Sequence, residues 1–373
     1  MIKLEHATKI YDDDSKAVDD VSFEIKEGEL CVLVGPSGCG KTTTMKMINR
    51  LISITKGKIY INGRDNTQID ANELRRNIGY VIQEIGLFPH MTVEENIGVV
   101  PTLKRWSKSK IRKRSEELLN LMGMNPAQFL YSYPGELSGG QRQRVGVARA
   151  MAVDPPIMLM DEPFGAIDPI TRERLQDEFL KIQQEIKKTI VFVTHDINEA
   201  IKMGDKIALL KDGKLIQYDS PAELLAHPSN DFVKDFVGAD RTLKGLRLMQ
   251  VKEVMRRSPV TVKTSEEAEA VHDYMKREDV RYLLVVEDDN KFCGWINLSD
   301  LEYRRGDRVK DVMKPPTQTV TPDTNLNEAV SLMLSSEIGN IAVVDNDDRL
   351  VGVLTFNALR EVLGETYTEK GGI

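Results

Sequence analysis

Residues 35–42 read Gly35-Pro36-Ser37-Gly38-Cys39-Gly40-Lys41-Thr42, and no other stretch restricts the fold so tightly. The loop has the form Gly-x-x-x-x-Gly-Lys-[Ser/Thr]. It follows directly on VSFEIKEGELCVLV (21–34), where an alternating segment, a charged glycine turn and a β-branched run predict a buried strand. TTTMKMINRLI comes next, with the apolar spacing of a helix. A glycine-rich turn between a buried strand and a helix belongs to an α/β arrangement around a parallel sheet. The glycines let backbone amides close around a polyphosphate, and the helix start adds the positive end of its dipole. Lys41 supplies a cation at the β- and γ-phosphates and Thr42 a hydroxyl for Mg²⁺, with Thr43 continuing the contact run.

Two further apolar runs end in chemistry. IMLMDEP (157–163) and TIVFVTHD (189–196) predict buried parallel strands with functional groups at their carboxyl ends. Asp161 suits the hydration shell of Mg²⁺, and Glu162 suits a general base facing an attacking water. GKIYINGRD predicts a hairpin turning at Asn62-Gly63. Residues 102–131, rich in Lys, Arg, Glu and Leu, predict a helical insert broken at Gly123 and Asn125-Pro126. A helix is expected over 221–237, stopping at Gly238, so that the first domain ends near 240.

With 373 residues the chain has room for two or three compact units. No run approaches the roughly 20 apolar residues of a membrane span, and MIKLEHATKI lacks the apolar stretch of an export signal, which makes the cytoplasm the expected compartment. A net charge of -7 speaks against non-specific nucleic-acid binding. Cys31, Cys39 and Cys293 lie far apart without metal-site spacing and are expected to be reduced thiols.

The remainder contains a repeat. Val254-Met255 recurs as Val312-Met313, and residues 282–301 recur as 340–359, both at an offset of 58. Each copy predicts an extended segment, an amphipathic helix, two strands around an acidic turn and a second helix. Two such units are expected to stack pseudo-symmetrically and share a core.

Leu137-Ser138-Gly139-Gly140-Gln141 carries the reading further, because it matches the signature of the ATP-binding cassette (ABC) ATPases, and residues 1–240 resemble that family. The resemblance implies a P-loop NTPase core with an antiparallel β subdomain and a helical subdomain. It implies ATP with Mg²⁺ as cofactor and hydrolysis to ADP and phosphate. In the family, Ser138, Gly139, Gly140 and Gln141 would form a second phosphate cradle for the nucleotide of the opposite subunit, so two copies of the chain sandwich two ATP molecules. Gln83 matches the residue that meets Mg²⁺ and the water and relays nucleotide state to the transmembrane partner. His195 matches the switch histidine at the γ-phosphate, Tyr11 the aromatic that stacks on adenine, and Asp168 the acid of the inter-subunit loop. That loop reads Gly165-Ala166-Ile167-Asp168 rather than the commoner Ser-Ala-Leu-Asp.

The tail resembles a tandem of cystathionine-β-synthase (CBS) modules, expected at 254–311 and 312–373 after a linker at 241–253. Members that grip a ribose show Gly-h-h-Ser/Thr-x-x-Asp, where h is apolar. Here the first copy has Gly294, Asn297 and Asp300, and the second Gly352, Thr355 and Ala358, so each is half a site. A cassette ATPase with such a tail is similar to the energising subunits of osmoprotectant importers for glycine betaine, carnitine or choline. That similarity implies a separate permease, an external solute-binding protein and a place on the cytoplasmic face of the membrane. Import of another small solute is the alternative; a non-transport ATPase acting on nucleic acid is a further one, although no nucleic-acid partner is expected. Ionic strength and cyclic di-AMP are the regulatory inputs the resemblance suggests, with the nucleotide favoured. Val260, Val280 and Tyr282 would sandwich its adenines, and Arg281 or Arg360 would sit near phosphate.

Overall fold

The computed structural model describes the chain except residues 83–85, 166, 303, 305, 337 and 366–373, with backbone alone over 362–365. It divides into Met1–Gly238 and Ala239–Ile373. The strands of the first unit are β1 (Ile2–Ile10), β2 (Lys16–Ile25), β3 (Leu30–Val34), β4 (Lys56–Ile61), β5 (Arg64–Asp65), β6 (Ile78–Val81), β7 (Ile157–Asp161), β8 (Thr189–Val193), β9 (Lys206–Lys211) and β10 (Lys214–Asp219). One sheet is antiparallel in the order β2-β1-β4-β5; the other runs β10-β9-β3-β8-β7-β6 and is parallel except at its β10 edge. Every residue of β3, β7 and β8 is buried, which is why these strands read as unbroken apolar runs.

The helix Lys41–Ile48 buries Met45, Met47 and Ile48 completely. They pack with Ile2, Leu4 and Ile59 of the antiparallel sheet and Leu33 and Val191 of the parallel one in a single core. Each such side chain contributes about 1.5–3 kcal/mol, so the phosphate loop runs between two elements that are both set in this core. The turn at Asn62 (φ 51°) and Gly63 (φ 78°) is the left-handed pair that a two-residue hairpin requires.

The helical insert comprises Val93–Leu103, Lys108–Leu121, Pro126–Phe129 and Gly139–Met151. Gly123 (φ 65°) ends the second helix, and the Asn125 side chain caps the third, which opens on a proline. The single helix expected over 221–237 is two, Pro221–Ala226 and Asp231–Val237. Pro228 pushes His227 out of helical geometry (φ -125°, ψ 65°), and Asn230 caps the new start through the Val233 N–H.

In the second unit the strands are β11 (Arg256–Arg257), β12 (Thr261–Lys263), β13 (Tyr282–Val286), β14 (Phe292–Asn297), β15 (Thr319–Val320), β16 (Asn340–Val344) and β17 (Leu350–Thr355). They form sheets β12-β13-β14 and β11-β17-β16-β15. The repeats exchange their leading segments. Arg256 and Arg257 pair with Val353 and Gly352 in the second copy, while Lys314 pairs with Trp295 in the first. Val251 donates to Thr324 O (2.9 Å), and its counterpart Val309 donates to Glu266 O (3.0 Å). The stretch 241–253, expected as a linker, carries the helices Arg241–Leu246 and Val251–Val254 and places Leu246 and Val251 in the core of the second copy. Two glycines permit the crossings. A Cβ at Gly294 would lie 2.0 Å from Lys314 O, and one at Gly352 would lie 2.8 Å from Met255 Sδ.

Candidate functional site

Strand order brings the chemistry together. β8 lies between β3 and β7, and the register aligns Leu33 with Val193 and Val193 with Asp161. The carboxyl ends of all three strands therefore open onto one mouth, where α/β sheets bind ligands.

At that mouth the loop after β3 is braced from behind. A Cβ at Gly35 (φ 147°) would lie 2.1 Å from Leu210 O, and one at Gly40 (φ 100°) 2.3 Å from Ala17 O. Gly213 N–H donates to Cys39 O at 3.3 Å. Gly40 precedes the helix Lys41–Ile48 without a side-chain cap, so the first amides of that helix keep their donors for a ligand. Pro36 and Ser37 form the outer part of the loop, and Gly38 (φ 79°) has open space at its Cα. Lys41 is buried, and its Nζ donates to the carbonyls of Gly35 (2.7 Å) and Pro36 (2.9 Å), holding the ammonium inside the loop. Thr43 stands half-buried in the first turn.

Thr42 Oγ1 donates to Asp161 Oδ1 at 3.0 Å. Burial pushes the Asp161 carboxyl above its usual range, opposed by the Thr42 hydrogen bond and by Lys46. The chain then bends sharply: Glu162 has φ 43° and donates its N–H to Val193 O at 3.0 Å, a left-handed conformation that takes its side chain off the strand direction. Glu162 Oε1 lies 3.3 Å from His195 Nδ1, and His195 is mostly exposed. A hydroxyl, a buried carboxylate, a second carboxylate and an imidazole thus face one mouth beside a lysine-bearing amide loop. Together they can hold a polyphosphate and polarise a water.

The second glycine motif opens the helix Gly139–Met151. Ser138 Oγ accepts from Gln141 N–H (3.3 Å), and Gln141 Oε1 accepts from Ser138 N–H (2.8 Å). This reciprocal cap fixes the turn. Gly139 and Gly140 add no side chain to the half-exposed helix start. Arg142 also fixes the motif by donating to Leu137 O at 2.9 Å; only its place one turn into the helix hinted at this. Asp168 is exposed and caps Pro169–Ile186 by accepting from Thr171 N–H at 3.0 Å, which holds its carboxyl below the usual range. Tyr11 is 39% exposed in the turn after β1, with Lys9 Nζ 5.1 Å from its ring centroid. Gln83 lies outside the described residues.

In the tail, Val260 and Tyr282 are 54% and 49% exposed, whereas Val280 packs against the core of the first copy. Arg281 is exposed and its carbonyl accepts from Leu298 N–H. Arg360 donates to Asn357 Oδ1 at 2.7 Å. Asn297 sits opposite Tyr282, and Asp300 is paired with Lys314 at 2.9 Å. Thr355 Oγ1 accepts from the N–H of Ala358, a buried residue in the core of the second copy.

Burial orders the thiols. Cys39 is 4% exposed, Cys31 is wholly buried and Cys293 is half-buried, and desolvation raises all three. Timed maleimide labelling read by peptide mass spectrometry is expected to modify Cys293 first, Cys39 at least about tenfold more slowly and Cys31 last.

Comparison with known proteins identifies the families on both parts of the chain. Residues 18–165 match the family described as ABC transporter, and residues 251–304 and 309–365 each match the CBS domain. A carnitine transport ATP-binding protein of Listeria monocytogenes is 48% identical over 97% of this chain and 92% of its own length. An osmoprotectant import ATP-binding protein of Salmonella typhimurium is 45% identical, covering 99% of this chain and 98% of its own. Among solved structures, a dimeric post-hydrolysis state of an ATP-binding cassette bound to ADP and Pi aligns with a TM-score of 0.54 at 38% identity, over 59% of this chain and 99% of that one.

Proposed function

The chain belongs to the ABC transporter ATPases that carry a tandem CBS tail, and from that premise we propose that it powers import of an osmoprotectant such as glycine betaine, carnitine or choline through a separate membrane permease. The observation that carries the site assignment is the meeting of Thr42 with Asp161 at 3.0 Å and of Glu162 with His195 at 3.3 Å at one mouth. Transport names of relatives matching nearly the whole chain favour the solute class.

Mg²⁺ fits this site. Thr42 and Asp161 offer hard oxygen donors, and a burial-raised carboxylate is a group that a divalent cation would relieve; when bound, the ion supplies charge neutralisation between phosphates. The loop amides and Lys41 hold the triphosphate of ATP. Glu162 accepts the proton of the attacking water, and His195 orients Glu162 and reaches the γ-phosphate. Gln83 would report the nucleotide state to the permease. Tyr11 offers its exposed face to adenine. Ser138, Gly139, Gly140 and Gln141 of a second copy close on the far side of the nucleotide, with Asp168 in the joint between copies, which makes the homodimer the working form. No helix among the described residues is long and apolar enough to cross a membrane, so the translocation path belongs to the permease, with this chain docked on its cytoplasmic face. An external solute-binding protein then delivers the cargo. The tail is the regulator, with cyclic di-AMP as the favoured input. The exposed Val260 and Tyr282 support an adenine contact and Arg281 and Arg360 a phosphate contact, whereas the packing of Val280 limits its part to an edge.

Co-reconstitution with the permease and binding protein in proteoliposomes tests the reading. ATP inside the vesicles is expected to drive uptake of at least one of carnitine, glycine betaine and choline, and a non-cleavable analogue is expected to drive none. ATP-dependent uptake of amino acids or sugars alone would remove the osmoprotectant assignment while leaving the ATPase in place.

A further inference from the structure

A cavity of about 320 Å³ lies where the ends or faces of three helices meet: Lys108–Leu121, Gly139–Met151 and Pro169–Ile186. None of the roles above uses it. Its walls are largely apolar, with Met122, Val147, Phe164, Leu175, Phe179 and Ile182 around it and Gln143 as the polar exception. Phe164 meets Phe179 edge to face at 6.3 Å and packs on Phe192 of the central sheet at 5.9 Å. These ring contacts tie one wall to the sheet, and the volume is in the range of small-molecule sites.

The rim has a sign. Arg144, Glu178 and Lys181 stand around the cavity. Glu178 is already engaged by Arg144 at 2.7 Å and by Arg174 at 4.0 Å, and Arg144 is further held by donating to Met122 O. Lys181 is exposed, and no carboxylate among the described residues pairs with it. An apolar interior below an unpaired ammonium selects a molecule with one greasy end and one negative charge.

We propose that this cavity binds a small apolar monocarboxylate, with its ring or chain among the phenylalanines and its carboxylate on Lys181. Such a ligand touches both the helix opened by Ser138 and the helix capped by Asp168, the two elements assigned to the joint between copies. Its binding site is therefore a lever on that joint, and none of the residues of the nucleotide mouth lines it.

Saturation-transfer NMR on the full chain at low ionic strength, with phenylbutyrate as probe, tests this. Binding is expected with Kd of roughly 0.05–2 mM for a ligand of this size. Phenylbutyramide, which keeps the shape and lacks the charge, should bind about three- to tenfold more weakly. Lys181→Glu, a surface change that spares the fold, should weaken phenylbutyrate by a similar factor and leave the amide unchanged. Leu175→Trp should fill the cavity and abolish both signals. No transfer from phenylbutyrate at several millimolar overturns the proposal, and so does binding that neither variant alters. Equal binding of acid and amide to the parent chain removes the monocarboxylate assignment.

Discussion

Glu162→Gln is expected to lower ATP turnover by about 10²–10⁴-fold while leaving ATP binding intact, as measured by phosphate release alongside equilibrium nucleotide binding. The amide keeps the size of the side chain and can still face His195, which lies 3.3 Å away, but it cannot accept a proton from water. Binding should persist because the Lys41 ammonium, the loop amides and the Thr42–Asp161 pair are untouched. Since the cycle then stops before hydrolysis, the variant should accumulate as an ATP-bound dimer on size-exclusion chromatography. Parent-like turnover would reassign the base.

Gly40→Ala is expected to lose at least about 2 kcal/mol of stability, a fall in Tm of roughly 4–8 °C, together with at least a tenfold loss of ATP affinity. Two costs coincide at this position. The backbone is left-handed at φ 100°, and the new methyl would arrive 2.3 Å from a backbone carbonyl, Ala17 O, that sits in β2 and has nowhere to go. Gly38→Ala serves as the internal control. It shares the positive φ (79°) but has nothing within 4 Å, so it should cost only the backbone term. Thermal scans with and without ATP rank the two; equal effects would mean that the β2 brace does not hold the loop.

The cassette was legible because its chemistry sits in short contiguous motifs. Gly35 to Thr42 and Asp161-Glu162 lie at the ends of buried strands, which state where their geometry points, and Leu137 to Gln141 marks the start of a helix by its own cap and glycines. The left-handed bend at Glu162 was not legible, since nothing in DEP demands φ 43°; the hydrogen bond to Val193 that enforces it is long-range. The tail was legible only as a repeat. The offset of 58 residues shows two like units, but periodicity says nothing about which unit receives each leading segment. Gly294 and Gly352 are the gaps for the crossing segments, a role that their place in a ribose-type pattern does not reveal. The apolar spacing of 221–237 continues across Pro228, but the backbone before a proline does not stay helical, so one expected helix is two.

Because each CBS copy folds around a segment supplied by the other, no cut near residue 311 yields a self-sufficient half. Severed there, either fragment would expose the groove that its sibling once filled. A molecule settling in one half must therefore be felt in both, as a load on one hand of a handshake is felt by the other.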